Sequence, residues 1–233
     1  TRCGCAPDAV VKTKYDTKAF IFNNEHFWLY DIFEDSDSVK RSGSYIVDVW
    51  PGLQPNFDFG FSAFKNMFFV KGENFWVFNE NHRKLSDGNT SSWLNYESNS
   101  NAALVSYENH THAFLEIFTE KNTVQNCLID RNYSMFCYDT RELTDEEASL
   151  APLQAATTLK SGIQLIFGLK EHCIILPGAP CLRLCNPKIF DCQISDLSLL
   201  VIMVIAFLMS FGCLFCVIFY YNLASSNLTA QTL

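Results

Sequence analysis

The chain has 233 residues, is 48% hydrophobic and sets 17 Lys and Arg against 25 Asp and Glu, for a formal net charge of −8. That acidic balance argues against nucleic acid as the natural partner and against an electrostatic grip on acidic lipid headgroups. The charge is uneven: every charged side chain precedes residue 197.

In chain order, the region before residue 197 is built on a repeat. The clearest pair is Asn23-Asn-Glu-His-Phe-Trp-Leu-Tyr30 and Lys71-Gly-Glu-Asn-Phe-Trp-Val-Phe78. An apolar run precedes each, Ala19-Phe-Ile-Phe22 and Met67-Phe-Phe-Val70. Further upstream lie the starts Pro7-Asp-Ala-Val-Val11 and Phe57-Asp-Phe-Gly-Phe61. Two fainter units follow. Asn101-Ala-Ala-Leu-Val105 leads into Ala113-Phe-Leu-Glu-Ile-Phe118. Gln154-Ala-Ala-Thr-Thr158 leads into Ile163-Gln-Leu-Ile-Phe-Gly168 and then Glu171-His-Cys-Ile-Ile175. The unit starts at Asp8, Asp58, Asn101 and Gln154 are 50, 43 and 53 residues apart. Short runs rich in Phe, Val, Ile, Trp and Tyr alternate with polar clusters such as Ser86-Asp-Gly-Asn-Thr90, read as turns between antiparallel strands. Small sheets at this period predict propeller blades, since one such sheet cannot bury both of its faces alone. The acidic run 139–147 is read as a solvated loop or helix start.

Of ten cysteines, eight precede residue 197, an even number that suits an oxidising compartment. Cys127 and Cys137 flank Asp130-Arg-Asn132 and predict a hairpin staple, while Cys3 is expected to pair within the cluster between Cys181 and Cys192. Three N-glycan acceptor sequons, at Asn89, Asn109 and Asn132, lie in the same region. The chain begins with Thr and shows no leader, as expected if one has been removed. Residues 197–221 read LSLLVIMVIAFLMSFGCLFCVIFYY. At about 1.5 Å per residue this gives roughly 37 Å of helix, enough to cross a hydrocarbon core of about 30 Å. The organisation expected is therefore an outer domain over 1–181, a cysteine-containing collar over 182–196, a transmembrane helix over 197–221 and a short cytoplasmic tail over 222–233, with the N-terminal side outside. A fourth sequon at Asn227 falls beyond the helix and is expected to stay bare.

The order Asp-Ala, aromatic strand, then Glu-x-Phe-Trp, together with the stretch Trp50-Pro-Gly-Leu-Gln-Pro-Asn-Phe-Asp58, resembles the hemopexin repeat of hemopexin, vitronectin and matrix metalloproteinase C-terminal domains. The resemblance covers about 5–181. It implies an all-β, four-bladed propeller followed by the single transmembrane helix. The last blade is expected to be irregular, because its unit is short and Cys173 stands near the place of the repeat's Trp. It also implies a ring-closing disulfide from Cys5. The partner stays open among Cys173, Cys181, Cys185 and Cys192, with Cys5–Cys181 the pairing carried forward. By the same resemblance, backbone carbonyls at Asp8, Asp58, Asn101 and Gln154 would hold an ion in the central channel, for which calcium or another hard cation is suited. Haem is not expected.

No HExxH, Gly-x-Ser-x-Gly, P-loop or dinucleotide fingerprint occurs. His110-Thr-His112 could offer two imidazoles to a metal, but it overlaps the Asn109 sequon and is read as an exposed loop. Cys213-Leu-Phe-Cys216 is read as packing within the apolar helix, and the pairs Ala206/Ser210 and Gly212/Cys216 would let another helix approach closely. The sequence thus predicts a non-enzymatic cell-surface glycoprotein of the plasma or secretory-pathway membrane, binding another membrane or extracellular protein through its propeller. Alternatives are an accessory subunit of a channel, receptor or adhesion complex, and the C-terminal part of a membrane-type metalloproteinase.

Overall fold

The computed structural model describes residues 6–15, 17–32, 43–169, 171–177, 179 and 181–185. The apolar segment 197–221, the tail, and Cys3, Cys5 and Cys192 lie outside the described residues. Among the described residues no helix is long and apolar enough to cross a membrane.

Among the described residues sixteen strands form four sheets, each a four-stranded antiparallel meander. Blade 1 runs β1 (Ala9–Lys12), β2 (Lys18–Asn23), β3 (His26–Asp31), β4 (Ser44–Tyr45). Blade 2 runs β5 (Phe59–Ala63), β6 (Asn66–Lys71), β7 (Asn74–Asn79), β8 (Lys84–Asn89). Blade 3 is β9 (Ser100–Glu108), β10 (His112–Thr119), β11 (Thr123–Asp130), β12 (Met135–Glu142). Blade 4 is β13 (Leu153–Thr158), β14 (Gln164–Gly168), β15 (Glu171–Ile175), β16 (Leu182–Cys185). The innermost strands β1, β5, β9 and β13 pack side by side, and β1 meets β13 to close the ring. The protein is a four-bladed propeller.

Four cores lie between neighbouring blades rather than one at the centre. Strand alternation divides the residues of each blade between its two neighbours. Ala9 and Val11 join Phe22, Phe69, Trp76 and Phe78 between blades 1 and 2, whereas Val10 joins Ile21, Leu165 and Phe167 between blades 4 and 1. Phe59 and Phe61 face blade 3 with Leu115 and Ile117. Leu104, Phe118, Leu153 and Ile166 fill the space between blades 3 and 4. Because both faces of each sheet are covered, the inner and middle strands read as near-continuous apolar runs. Near the axis the side chains are small. A Cβ on Gly60 would lie 3.3 Å from Ala9 Cβ and 3.1 Å from the Phe68 carbonyl oxygen.

Aromatic residues from the connections between blades plug these cores. Trp50, fully buried, follows the short helix α1 (Ile46–Val49) and packs against Phe20, Phe22 and Phe27 with ring centroids 5.3, 5.1 and 4.6 Å away. Trp93, after a 3-10 turn at Thr90–Ser92, stacks on Phe75 at 5.0 Å between blades 2 and 3. The Glu-x-Phe-Trp repeat marks the start of β3 and β7. Phe22 faces Phe27 and Ile21 faces Trp28, as Val70 faces Phe75 and Phe69 faces Trp76. The carbonyls of Glu25 and Glu73 accept from the amides of Ile46 and Thr90, so the repeat extends to the backbone.

Three expectations are corrected. Ser86-Asp-Gly-Asn is not a turn but part of β8. An outer strand faces water, so polar residues suit it, and Gly88 is needed there because a Cβ would come within 2.8 Å of the Phe75 ring opposite. Blade 4 is a complete four-stranded sheet, with Cys173 facing Ile166 where Trp76 faces Phe69. Cys181 is bonded to Cys173 across the β15–β16 connection and is therefore not the partner of Cys5, which leaves Cys185 and Cys192 of the four candidates. The staple Cys127–Cys137 is present, with its Cα atoms 3.9 Å apart in directly opposed positions of β11 and β12, and both cysteines are buried in the core between blades 2 and 3.

Candidate functional site: the channel entry and the loop faces

The meander gives the propeller two unlike ends. At the entry end the inner strands begin, joined by the β2–β3, β6–β7, β10–β11 and β14–β15 turns. The exit end carries the β5–β6, β7–β8, β9–β10, β11–β12 and β13–β14 turns.

All four resemblance-derived channel positions lie at the starts of inner strands and are half-buried. Asp8 and Asp58 play matching parts. Their amides donate to the Phe22 and Val70 carbonyls at 2.8 and 2.9 Å, and each Oδ2 accepts from a turn amide, Asn24 or Gly72, at 2.6 Å. The repeated Asp therefore ties the first strand to the turn between the second and third. Burial pushes the Asp8 carboxyl above its usual range, partly opposed by the Asn24 N–H and the charge of Lys71. Asn101 and Gln154 lack that role. Each is the extra residue of a β-bulge, between the pairs Ser100–Thr119 and Ala102–Phe118 in blade 3 and between Leu153–Gly168 and Ala155–Phe167 in blade 4. A bulge leaves its extra residue outside the ladder. The donor chemistry fits a hard ion held by main-chain oxygen. Among the described residues no group of three His, Cys, Asp or Glu is arranged for a metal. A cleft of about 280 Å³ opens beside two of the four positions, Asp58 and Asn101, with Glu73 and Glu120 on its wall.

The three sequon asparagines are exposed. Asn89 Oδ1 accepts from Ser91 N at 2.8 Å, and Asn109 Oδ1 accepts from the amide of Thr111 at 2.8 Å and its hydroxyl at 3.0 Å. Asn132 sits in the β11–β12 turn, where its amide donates to Asp130 Oδ1. Asn109 and Asn132 thus mark the exit end and Asn89 the entry end. The His112 ring is engaged with the Thr111 hydroxyl, Oγ1 to Nδ1 2.9 Å, while His110 is exposed at a cleft of about 680 Å³ lined also by Phe64, Glu108 and Arg131.

The acidic run 139–147 starts the helix α2 (Asp145–Ala148) with a capping box between Thr144 and Glu147. It is not wholly solvated. Glu147 is buried and takes a bidentate pair from Arg141 at 2.8 and 2.9 Å, and the same guanidinium reaches Glu116 at 2.7 Å. Burial raises the Glu147 carboxyl, but the Arg141 bonds and the Thr144 N–H outweigh it and hold it below the usual range. On the outer edge of blade 3, Phe136 and Tyr138 stand side by side with ring centroids 6.3 Å apart, 43% and 54% exposed. Leu94, 61% exposed, is bridged to Phe136 through the backbone. Arg141 and Glu147 fall within the acidic run 139–147, but nothing in the sequence marks their pairing. A polar strand with aromatics at alternate positions was the only signal for the strip.

Comparison with solved structures supports the fold. The chain is similar to a hemopexin fold protein, CP4, from cow pea, with 14% identity over 79% of this chain and 94% of that one, at TM-score 0.58. It is likewise similar to a seed protein from Dolichos described as a 2S albumin, with 14% identity over 78% of this chain and 94% of that one, TM-score 0.58. A plant lectin with two metal binding sites from Cicer arietinum matches at 14% identity over 74% and 88% of the respective chains, TM-score 0.57. No family model matches the sequence, and no curated protein does either.

Proposed function

We propose that the chain is a non-enzymatic surface glycoprotein of the hemopexin-like repeat class, anchored by a helix over 197–221, whose propeller binds another membrane or extracellular protein. The observation that carries this reading is the exposed apolar strip Leu94, Phe136 and Tyr138 on the rim of the propeller. Side chains of this kind gathered on a surface mark interaction sites, and aromatic residues are enriched in them. Two buried or half-buried disulfides and three exposed acceptor sequons support an oxidising, secretory location. A hard cation such as calcium, held by main-chain oxygen of Asp8, Asp58, Asn101 and Gln154, would stiffen the channel rather than perform chemistry. Affinity purification in mild detergent with quantitative mass spectrometry tests the reading. A partner recovered by the wild-type chain and lost with Phe136→Glu/Tyr138→Glu supports it. Recovery unaffected by that change overturns the assignment of the surface. Stoichiometric recovery of one larger membrane protein would identify the chain as an accessory subunit.

A further inference from the structure

A third cleft, of about 210 Å³, lies at the exit end between blades 1 and 2. It is formed where the β1–β2, β5–β6 and β7–β8 turns converge. Its apolar floor is Phe20 and Met67, and its wall carries Lys12, Lys14, Lys65, Glu80 and His82. Among the described residues the lining carries three ammonium groups against the Glu80 carboxylate, and with Glu108 beside Lys12 the positive balance rests on Lys14 and Lys65, in a chain whose net charge is −8. Lys12 is partly committed, 3.6 Å from Glu108 Oε2. Among the described residues neither Lys14 nor Lys65 forms a salt bridge.

The walls are held in place. Thr13 Oγ1 donates to the Lys18 carbonyl at 2.9 Å and accepts from the Tyr15 amide at 3.0 Å, which fixes the turn that carries Lys14. Ser62 Oγ donates to the Lys12 carbonyl at 3.2 Å, joining the two blades beneath the cleft. Phe64 and Lys65 both adopt left-handed backbone, φ 53° and 63°, and the Phe64 amide donates to Glu108 Oε1 at 3.0 Å. His82 is seated by its amide on the Asn79 carbonyl at 2.9 Å and by ring contacts to Trp50 and Phe20 at 4.7 and 5.6 Å. Burial, then the charge of Lys14, holds its imidazole below the ordinary histidine range. At neutral pH the ring is therefore an uncharged hydrogen-bonding group and not a fourth cation.

We propose that this cleft is a binding site for a small organic acid with a compact apolar body. The carboxylate sits between the Lys14 and Lys65 ammonium groups, and the body lies on Phe20 and Met67. The volume is below the roughly 300–1,000 Å³ of sites for drug-sized ligands, which limits the occupant to about one ring. Flexible lysines suit a carboxylate as point charges without demanding a fixed planar approach. The cleft between blades 2 and 3 is less suited, since it is wider and is lined by Glu108 and the sequon residue Asn109.

The test is calorimetric titration of the full chain with benzoate, beside benzamide as the uncharged analogue. A ligand of about nine non-hydrogen atoms at this cleft should bind with roughly millimolar Kd. The variant Lys14→Gln/Lys65→Gln should weaken benzoate by about tenfold or more while leaving the melting temperature unchanged, and benzamide should bind the wild-type chain about tenfold more weakly than benzoate. A phenylalanine dipeptide with a free C-terminus separates a free acid from a protein terminus bearing the same group. Weaker binding than benzoate supports the free acid, and tighter binding overturns it. Absence of saturable benzoate binding, equal binding by the double variant, or equal binding of benzamide would each overturn the proposal.

Discussion

Replacing Trp50 with alanine removes the largest fully buried side chain in the core between blades 1 and 2. Burying a Trp withdraws roughly 200 Å² from water, and at about 25 cal/mol per Å² the transfer alone is worth about 5 kcal/mol as an upper bound. Measured Phe or Trp to Ala changes in cores cluster at about 3–5 kcal/mol, the spread reflecting how far the cavity collapses. Collapse is hindered here. Trp50 meets Phe20, Phe22, Phe27, Phe69 and His82 from two different blades, and those rings are themselves packed edge-on against one another. A loss of about 4 kcal/mol is therefore expected from urea unfolding of the full chain, followed by both tryptophan fluorescence and far-ultraviolet dichroism. Leu94→Ala, on the exposed rim, should change stability by no more than about 0.5 kcal/mol and serves as the control. A Trp50→Ala loss under about 1 kcal/mol would refute the view that the connection between blades plugs a shared core.

Other contacts and sites in the chain give four further expected outcomes. Gly88→Ala should cost about 1–3 kcal/mol by overpacking against Phe75, whereas Gly72→Ala, with open space around its Cβ position but a left-handed φ of 57°, should cost about 1 kcal/mol through backbone strain alone; urea midpoints distinguish them. The Glu147 carboxyl is depressed in the folded state, so its contribution is present above the unfolded value of about 4.3 and is lost as pH falls through the lower folded value. Glu147→Gln should therefore flatten the loss of stability on acidification, and Asp8, shifted the other way, works in the opposite direction and is unchanged by that variant. Non-reduced peptide mapping should recover Cys127–Cys137 and Cys173–Cys181, and Cys5 linked to Cys185 or Cys192. Amide-cleaving glycosidase should convert Asn89, Asn109 and Asn132 to Asp and leave Asn227 unchanged; conversion of Asn227 would contradict the expected topology.

The propeller was legible because its strongest determinants are local. Glu-x-Phe-Trp recurs where two hairpins begin, and the repeated Asp recurs where a carboxylate must catch a turn amide. The fainter units lost these marks for a physical reason. In blades 3 and 4 a bulge replaces the Asp bond, so Asn101 and Gln154 are free to be other residues, and Cys173 takes the place of Trp because a disulfide to Cys181 supplies the packing that an indole supplies elsewhere. Long-range features were not legible. The seating of Trp93 on Phe75, the Arg141 bridge from β12 to both β10 and α2, and the gathering of Lys14, Lys65 and His82 at one cleft depend on which turns the ring brings together. Polar β8 reads as a turn in sequence because outer strands carry a turn-like composition when their outward face meets water.

We propose that the propeller rim, not the tail, selects a protein partner. The most direct test is quantitative co-purification of the full chain from mild-detergent extracts of cells that express it, comparing wild type with Phe136→Glu/Tyr138→Glu and with a chain whose residues 1–181 are exchanged for an unrelated domain. One partner is expected with wild type, depleted about tenfold or more by the paired substitution with the melting temperature unchanged, and absent after the exchange. Equal recovery of that partner by all three chains would contradict it.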